Sequence, residues 1–240
     1  MTLLNLQTEV RELSDPVIAE HSARFFKTGK GDYGEGDQFL GIRVPHLRQL
    51  ASKYRSEAMK DVLQVLKSPF HEERLLALFM MVDRFKRTKD NDLKTEIYQS
   101  YLNHTDYINN WDLVDSSAYH IAGVYLFDKN RDALDALSLS RNLWERRIAI
   151  IATLHFIRHE QYDDTLRISH NLIQDSEDLI HKAVGWMIRE VGNRDRSAQN
   201  KFLAQHYKTM PRTMLRYAIE KYDEHERRQL LRGEWRPPSV

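Results

Sequence analysis

The sequence contains no cysteine. That excludes disulfides, thiolate zinc sites and a cysteine nucleophile. Glycine and proline are scarce, nine and six residues of 240, about half of ordinary usage. So few turn formers argue against a sandwich or barrel and for helices. No long apolar run is present: the longest, Leu75 to Val82, falls far short of the roughly 20 residues a membrane span needs. The opening Met-Thr-Leu-Leu-Asn-Leu-Gln has no basic region, so no signal peptide is expected and the expected location is cytoplasmic. Neither sign of charge dominates. Lys and Arg number 36 and Asp and Glu 35, net +1, which excludes a uniformly basic nucleic-acid binder. Glycine-rich phosphate loops, His-Glu-x-x-His and Gly-x-Ser-x-Gly are all missing. No metal and no cofactor is expected.

What is there is helical periodicity. Leu47, Leu50, Ala51 and Tyr54 recur at i, i+3, i+4, i+7 on one face. Ser68-Pro69 reads as an N-cap with proline in the first helical position, before a helix carrying Leu75, Leu76, Leu78, Phe79 and Val82. Val44 should be extended because it precedes Pro45, with a helix over His46–Tyr54. Period-2 alternation is absent and no strands are expected. Five apolar helices carry a small residue near their middle: Ala77, Ala118, Ala149, Gly185 and Ala218. Three of these have a basic residue three places earlier, Arg74, Arg146 and Lys182. Amphipathic segments at Leu93–Leu102, Leu134–Leu139 and Thr165–Leu172 lie between them. Two helices per ~35–40 residues predicts an all-α, right-handed superhelical solenoid of HEAT-like repeats. An irregular helix bundle is the alternative. We expect a single repeat domain over 1–232, with a loop at Lys30–Gly36 and a frayed or docked tail over 233–240.

Few residues suggest chemistry. His155 and His159 could chelate a metal, but an ordinary helix surface pair suffices without a third ligand. Asn110 is a good N-cap, so a helix should begin at Trp111, with Asp112 as a structural first-turn charge. Trp111 and Asp115 are four apart and share a face. A tryptophan beside a carboxylate suits a surface that meets a cationic, planar group; a Trp packed at a repeat junction with an Asp bonded to a neighbouring helix is the plainer reading. Arg146 and Arg147 point about 100° apart on a helix, so one can pair structurally while the other faces a ligand. Trp186 follows Gly185, and core packing is an equal alternative for it. In a solenoid, Trp111, Asp115, Arg147 and Trp186 could converge on one concave surface.

Asn-Trp-Asp-Leu-Val-Asp at 110–115, Trp-Glu-Arg-Arg-Ile-Ala-Ile at 144–150 and Lys-Ala-Val-Gly-Trp-Met-Ile-Arg-Glu at 182–190 resemble the AlkD-type alkylpurine DNA glycosylases. So do Phe-Leu-Gly-Ile-Arg-Val-Pro-His-Leu-Arg-Gln-Leu-Ala at 39–51 and Met-Pro-Arg-Thr-Met-Leu-Arg-Tyr-Ala-Ile-Glu-Lys at 210–221. The resemblance spans roughly residues 10–225, with its motifs in order. It implies an all-α HEAT-like array with a concave DNA-binding face, monomeric, that excises N3- and N7-alkylated purines such as 3-methyladenine and 7-methylguanine from double-stranded DNA. It further implies Asp115 as catalytic carboxylate, Arg147 as the catalytic-site arginine, and Trp111 and Trp186 as the tryptophans cradling the lesion-bearing backbone. The loop at Lys30–Gly36 has no confident counterpart.

The implied chemistry is consistent with these residue types. A purine alkylated at N3 or N7 is cationic and already a good leaving group. One carboxylate can both stabilise the oxocarbenium-like sugar and direct water to C1′. Indole faces attract a cation by roughly 0.5–2 kcal/mol, and a guanidinium can grip a flanking phosphate. The charge distribution also gains meaning. Residues 1–140 hold 18 basic and 21 acidic side chains, net −3, and residues 141–240 hold 18 and 14, net +4. The basic half supplies Arg146, Lys182, Arg189, Arg194, Arg196, Arg212 and Arg216, and all of these except Arg196 are singled out as DNA contacts. The alternative function is a non-catalytic HEAT-repeat scaffold that binds DNA or a protein partner.

Overall fold

The structure, a computed structural model, describes residues 3–236. They form helices and turns. Among them there is no strand, only an isolated parallel bridge between Gln38 and Phe70. No helix among the described residues is long and apolar enough to cross a membrane. The chain divides into two compact units, Met1–Ser117 and Ala118–Val240.

The first unit contains α1 (Leu3–Glu12), α2 (Pro16–Phe25), α3 (Val44–Lys53), α4 (Met59–Leu66), α5 (His71–Arg87), α6 (Asn91–Leu102), a 3-10 turn (Thr105–Tyr107) and α7 (Trp111–Asp115). Helix α5 is its centre and packs against α3 and α4. The run Leu75 to Val82 is buried on every side, as are Leu47 and Leu50 of α3 and Val62, Val65 and Leu66 of α4. Each such side chain contributes roughly 1.5–3 kcal/mol by leaving water. More unusual is the first turn of α5, where His71, Glu72, Glu73 and Arg74 are all buried as well.

Two helix starts differ from expectation. Val44 is helical: α3 begins there, with Pro45 second and Arg43 as the extended N-cap at φ −72°, ψ 142°. N–H groups of a first turn have no intrahelical partner, so proline is tolerated there. Nor is Ser68 an N-cap. Helix α5 begins at His71 behind Phe70, and Ser68 Oγ accepts from the Phe70 N–H at 3.0 Å. That local turn keeps Ser68 and Pro69 outside the helix.

The second unit runs through a π-helical turn (Tyr119–Gly123), α8 (Val124–Leu126), α9 (Asp132–Ser138), α10 (Leu143–Ala152), α11 (Leu154–Ile157), α12 (Asp163–Asn171), α13 (Asp178–Gly192), α14 (Arg196–His206), α15 (Arg212–Ala218) and α16 (Glu224–Arg232). The small residue of the repeat has a visible purpose at Gly185. A Cβ there would lie 2.4 Å from the Met214 carbonyl oxygen and 2.5 Å from Tyr217 Cβ, so only glycine lets α13 and α15 meet this closely. The chain after α16 docks. Gly233 turns at φ +77°, and Tyr207 points its hydroxyl at the carbonyls of Gly233 and Trp235, 3.0 and 3.1 Å away. Trp235 is buried edge-on against Tyr207. The rest of the expected tail, 237–240, lies outside the described residues.

The basic residue of the repeat is also explained, with one change of register. Before α5, Arg74 donates to the carbonyls of Ser68 and Pro69 at 3.1 and 3.2 Å. Before α10, Arg146 donates to those of Ser140 and Arg141, both at 3.0 Å. Ser140 Oγ accepts from Asn142 N–H at 3.0 Å, as Ser68 does from Phe70. The same turn is built twice, with the arginine six residues after the serine. Before α13, the acceptor of the turn is Asp175 Oδ1, which takes the Glu177 N–H at 2.9 Å. The residue six further on is His181, whose Nε2 sits 2.5 Å from the Asp175 carbonyl. His181, and not Lys182, therefore occupies the repeated position. Lys182 instead pairs with Asp178 at 2.7 Å on the surface.

Candidate functional site

In the first unit the expected helix forms. Asn110 is fully buried, and its Oδ1 accepts from the Trp111 N–H at 2.9 Å to start α7. Trp111 and Asp115 are both half-buried at opposite ends of this one turn and a half, while Leu113 and Val114 between them anchor it in the core. Trp111 does not pack into that core. Its indole stacks on Phe26 at 5.3 Å and meets the edge of Phe25 at 6.1 Å. Phe25 is 59% exposed, so an aromatic ledge continues outward from Trp111. Asp115 lies close enough to Tyr101 that its charge adds to burial in pushing the Tyr101 phenol up.

Behind this helix is a charged centre that sequence reasoning missed. His71 is 2% exposed. Its Nδ1 meets Asp37 Oδ2 at 2.8 Å and its Nε2 meets Asp112 Oδ2 at 2.9 Å. Arg74 donates to Asp37 Oδ1 at 2.7 Å, and Asn110 Nδ2 donates to Asp37 Oδ2 at 3.3 Å. Burial pulls the imidazole toward its neutral form, but the hydrogen bonds to Asp112 and Asp37 outweigh it and push the pKa up to about 9. Burial likewise raises Asp37, and its bonds to His71 and Arg74 bring it below the ordinary carboxylate range. Asp112 is thus the structural first-turn charge its position suggested. Next to His71, Glu72 accepts from the N–H groups of Leu40, Gly41 and Ile42 at 2.9, 2.7 and 3.2 Å. Gly41 adopts φ +81°, and a Cβ there would fall 2.1 Å from the Asp15 carbonyl oxygen, so the loop entering α3 is tied to both α5 and α2. The signal in the sequence was the density of ionisable residues in His-Glu-Glu-Arg directly before the longest apolar run.

The remaining candidates lie in the second unit. Arg146 is the structural arginine of the pair: besides its two carbonyls it binds Asp175 at 2.6 Å. Arg147 is only 5% exposed and donates to the Leu179 carbonyl at 2.6 Å. Trp186 is half-buried, neither core nor free surface, with Nε1 donating to Glu190 Oε1 at 3.3 Å. Arg189 pairs with Glu220 and Arg194 with Glu190 at 3.1 Å. Arg196 reaches Glu226 at 3.0 Å. Arg212 is exposed and donates to the Leu231 carbonyl, and Arg216 is exposed. The His155 and His159 rings lie 4.4 Å apart, and burial together with the charge of His159 pulls His155 down to about 4. Among the described residues no cluster of three metal-ligating side chains occurs.

Comparison with known proteins bears on the fold and the family. The sequence matches no curated protein. The fold is similar to that of a predicted DNA alkylation repair enzyme from Enterococcus faecalis: TM-score 0.69, 14% identity, 88% of this chain and 97% of that one. It is also similar to AlkD2 from Streptococcus mutans: TM-score 0.57, 16% identity, 91% and 99% of the two chains. Residues 6–222 match the family model described as DNA alkylation repair enzyme. With that match covering nearly the whole of both units, the chain belongs to the family of DNA alkylation repair enzymes.

Proposed function

We propose that this protein is a monofunctional DNA glycosylase that hydrolyses the N-glycosidic bond of N3- and N7-alkylated purines in duplex DNA. The observation that carries the proposal is the pairing of Trp111 and Asp115 on one short helix, half-exposed and backed by a buried polar centre. In this reading Asp115 is the catalytic carboxylate. It stabilises the sugar cation as the bond to the departing base breaks and orients water toward C1′. Trp111 lays its indole against the cationic nucleotide. From the second unit Arg147 would hold a backbone phosphate, with Trp186 against the sugar, and residues 1–232 act as one monomeric DNA-binding domain. Arg189, Arg194, Arg212 and Arg216 would add phosphate contacts. Such contacts release counterions and make affinity steeply salt-dependent.

The test is release of free 7-methylguanine from methylated duplex DNA. Wild type should release it, and Asp115→Asn should be slower by about 100-fold or more. No release above background by wild type, or equal rates for the two proteins, overturns the proposal. One observation favours a second reading. Arg146, Lys182, Arg189 and Arg194 already sit in ion pairs with acidic residues of the chain, and Arg147 is buried. A scaffold that binds a partner without hydrolysis would show binding indifferent to Asp115 and no base release.

A further inference from the structure

Trp111 and Asp115 stand on a helix of five residues. So short a helix has no stability of its own: Leu113 and Val114 anchor it in the core, and its orientation there depends on whatever holds its first turn. Two side chains do so. Asn110 caps it and reaches Asp37. Asp112 commits Oδ2 to His71, while its Oδ1 is buried and takes no hydrogen bond. A half-buried carboxylate with one buried, unsatisfied oxygen leans on its single charged partner. Both nitrogens of the His71 ring face carboxylate oxygens. Carboxylates only accept, so both bonds form only when the ring carries two protons. The ring is held in plane as well: Phe39 stacks on it at 4.6 Å, and Phe26 lies 4.9 Å from it and 5.3 Å from Trp111. The charges facing His71 are Asp37 from the loop before α3, Asp112 from α7 and, through Asp37, Arg74 from its own helix.

We propose that His71, as an imidazolium bridging Asp37 and Asp112, is a positioning residue of the candidate site: it fixes the first turn of α7 and through it the placement of Trp111 and Asp115. Loss of one ring proton turns a donor into an acceptor aimed at a carboxylate. It also strands Asp112 and releases the turn. The catalytic consequence rests on Asp115 acting as proposed above. The clamp itself is a property of the protein without DNA, which keeps the two ideas separable.

The experiment has a DNA-free arm and a kinetic arm. In the first, the ring nitrogens of His71 and the indole N–H of Trp111 are followed by NMR in the ¹⁵N-labelled protein from pH 6 to 10. His71 should remain doubly protonated through pH 8, and the Trp111 signal should shift with the same midpoint. In the second, single-turnover release of 7-methylguanine is measured for wild type, His71→Gln and Asp112→Asn across the same range. At pH 7 both variants should be slower by roughly 10- to 100-fold, with affinity for the duplex within about threefold. The ratio of wild-type to variant rate cancels the substrate's own pH dependence, and it should collapse above the His71 midpoint. A neutral His71 at pH 7, a Trp111 signal indifferent to His71, or variants as fast as wild type would each overturn the proposal. If wild type releases no base, the glycosylase reading alone fails and the NMR arm decides the clamp. If either variant does not fold, the wild-type titration and the other variant decide it.

Discussion

The turn before α5 and the turn before α10 are one design used twice. Each starts with a serine whose Oγ takes an N–H two residues on, and each ends with an arginine that gathers two carbonyls of the turn and one aspartate. They differ in what lies beyond the aspartate. In the second unit the line ends at Asp175, which binds Arg146 and closes its own turn. In the first it continues: Asp37 also accepts a hydrogen bond from His71, whose other ring nitrogen bonds Asp112, and it accepts from the Asn110 amide as well. A common repeat turn has been extended into a network that holds the helix of Trp111 and Asp115. The extension places more charge out of water, and charge out of water is tolerable only while every partner is present.

That contrast is open to a direct break. Asp37→Ala removes the one anion shared by two buried cations and an amide. It should destabilise the first unit by about 3–5 kcal/mol, the usual effect of leaving a buried charge uncompensated. Denaturant unfolding measures this, and a loss below ~1 kcal/mol would mean that water readily replaces Asp37. Next in size is a pH effect confined to the first unit. The His71 pKa is raised from 6.5 to about 9 in the folded protein. Its contribution is therefore fully present below pH 6.5 and is lost as pH rises toward about 9. The amount is about 3 kcal/mol from linkage. Stability of wild type should fall over that window, and that of His71→Gln should not.

How much of this was legible in the sequence follows from which forces are local. Helix content, the small residues Ala77, Ala149 and Gly185 inside their helices and the start of α7 at Trp111 rest on periodicity and capping within a few residues, and they stand in the structure; Ala118 instead precedes the π-helical turn and Ala218 ends α15. Gly185 needed only its neighbours to be noticed, although its reason, the backbone of α15, lies some 30 residues away. The start of α3 was misplaced because a residue before proline usually avoids the helical region, whereas Val44 is helical with Pro45 in the second position. Ser68 was misplaced because a serine that caps a helix and one that closes a two-residue turn look the same. The His71 network was invisible because Asp37, His71 and Asp112 are brought together from three separate segments. Only the fold shows that His-Glu-Glu-Arg is buried instead of forming an ordinary solvated first turn. The ion pairs around Arg146, Arg189 and Arg194 were hidden for the same reason: a count of basic residues does not say which are already occupied.

The simpler turn should yield less. Asp175→Ala frees Arg146, whose side chain keeps two carbonyl partners and 14% of its surface. The expected loss is about 1–2 kcal/mol, clearly less than for Asp37→Ala under the same denaturant titration. Equal losses would mean that the histidine branch adds nothing to the first unit's dependence on its aspartate.

The smallest effect on stability separates structural arginines from those available to DNA. Arg194 is paired with Glu190 at 3.1 Å on the surface of the second unit, its side chain 31% exposed. Such a pair contributes about 0–1 kcal/mol, so Arg194→Ala should leave unfolding unchanged within about 0.5 kcal/mol. If Arg194 contacts a phosphate, the same variant should bind duplex DNA more weakly whatever its sequence. The slope of log affinity against log salt should then drop by about 0.9. Both quantities come from one variant, which makes the outcome diagnostic. A stability loss above 1 kcal/mol would make Arg194 a second Arg146, engaged in holding its own fold. An unchanged slope would remove it from the DNA surface, because exchanging Glu190 for a phosphate would then have gained nothing. A lowered slope with unchanged stability would show that a surface ion pair in this unit serves as a resting place for a guanidinium, in contrast to Arg74, which has no such freedom.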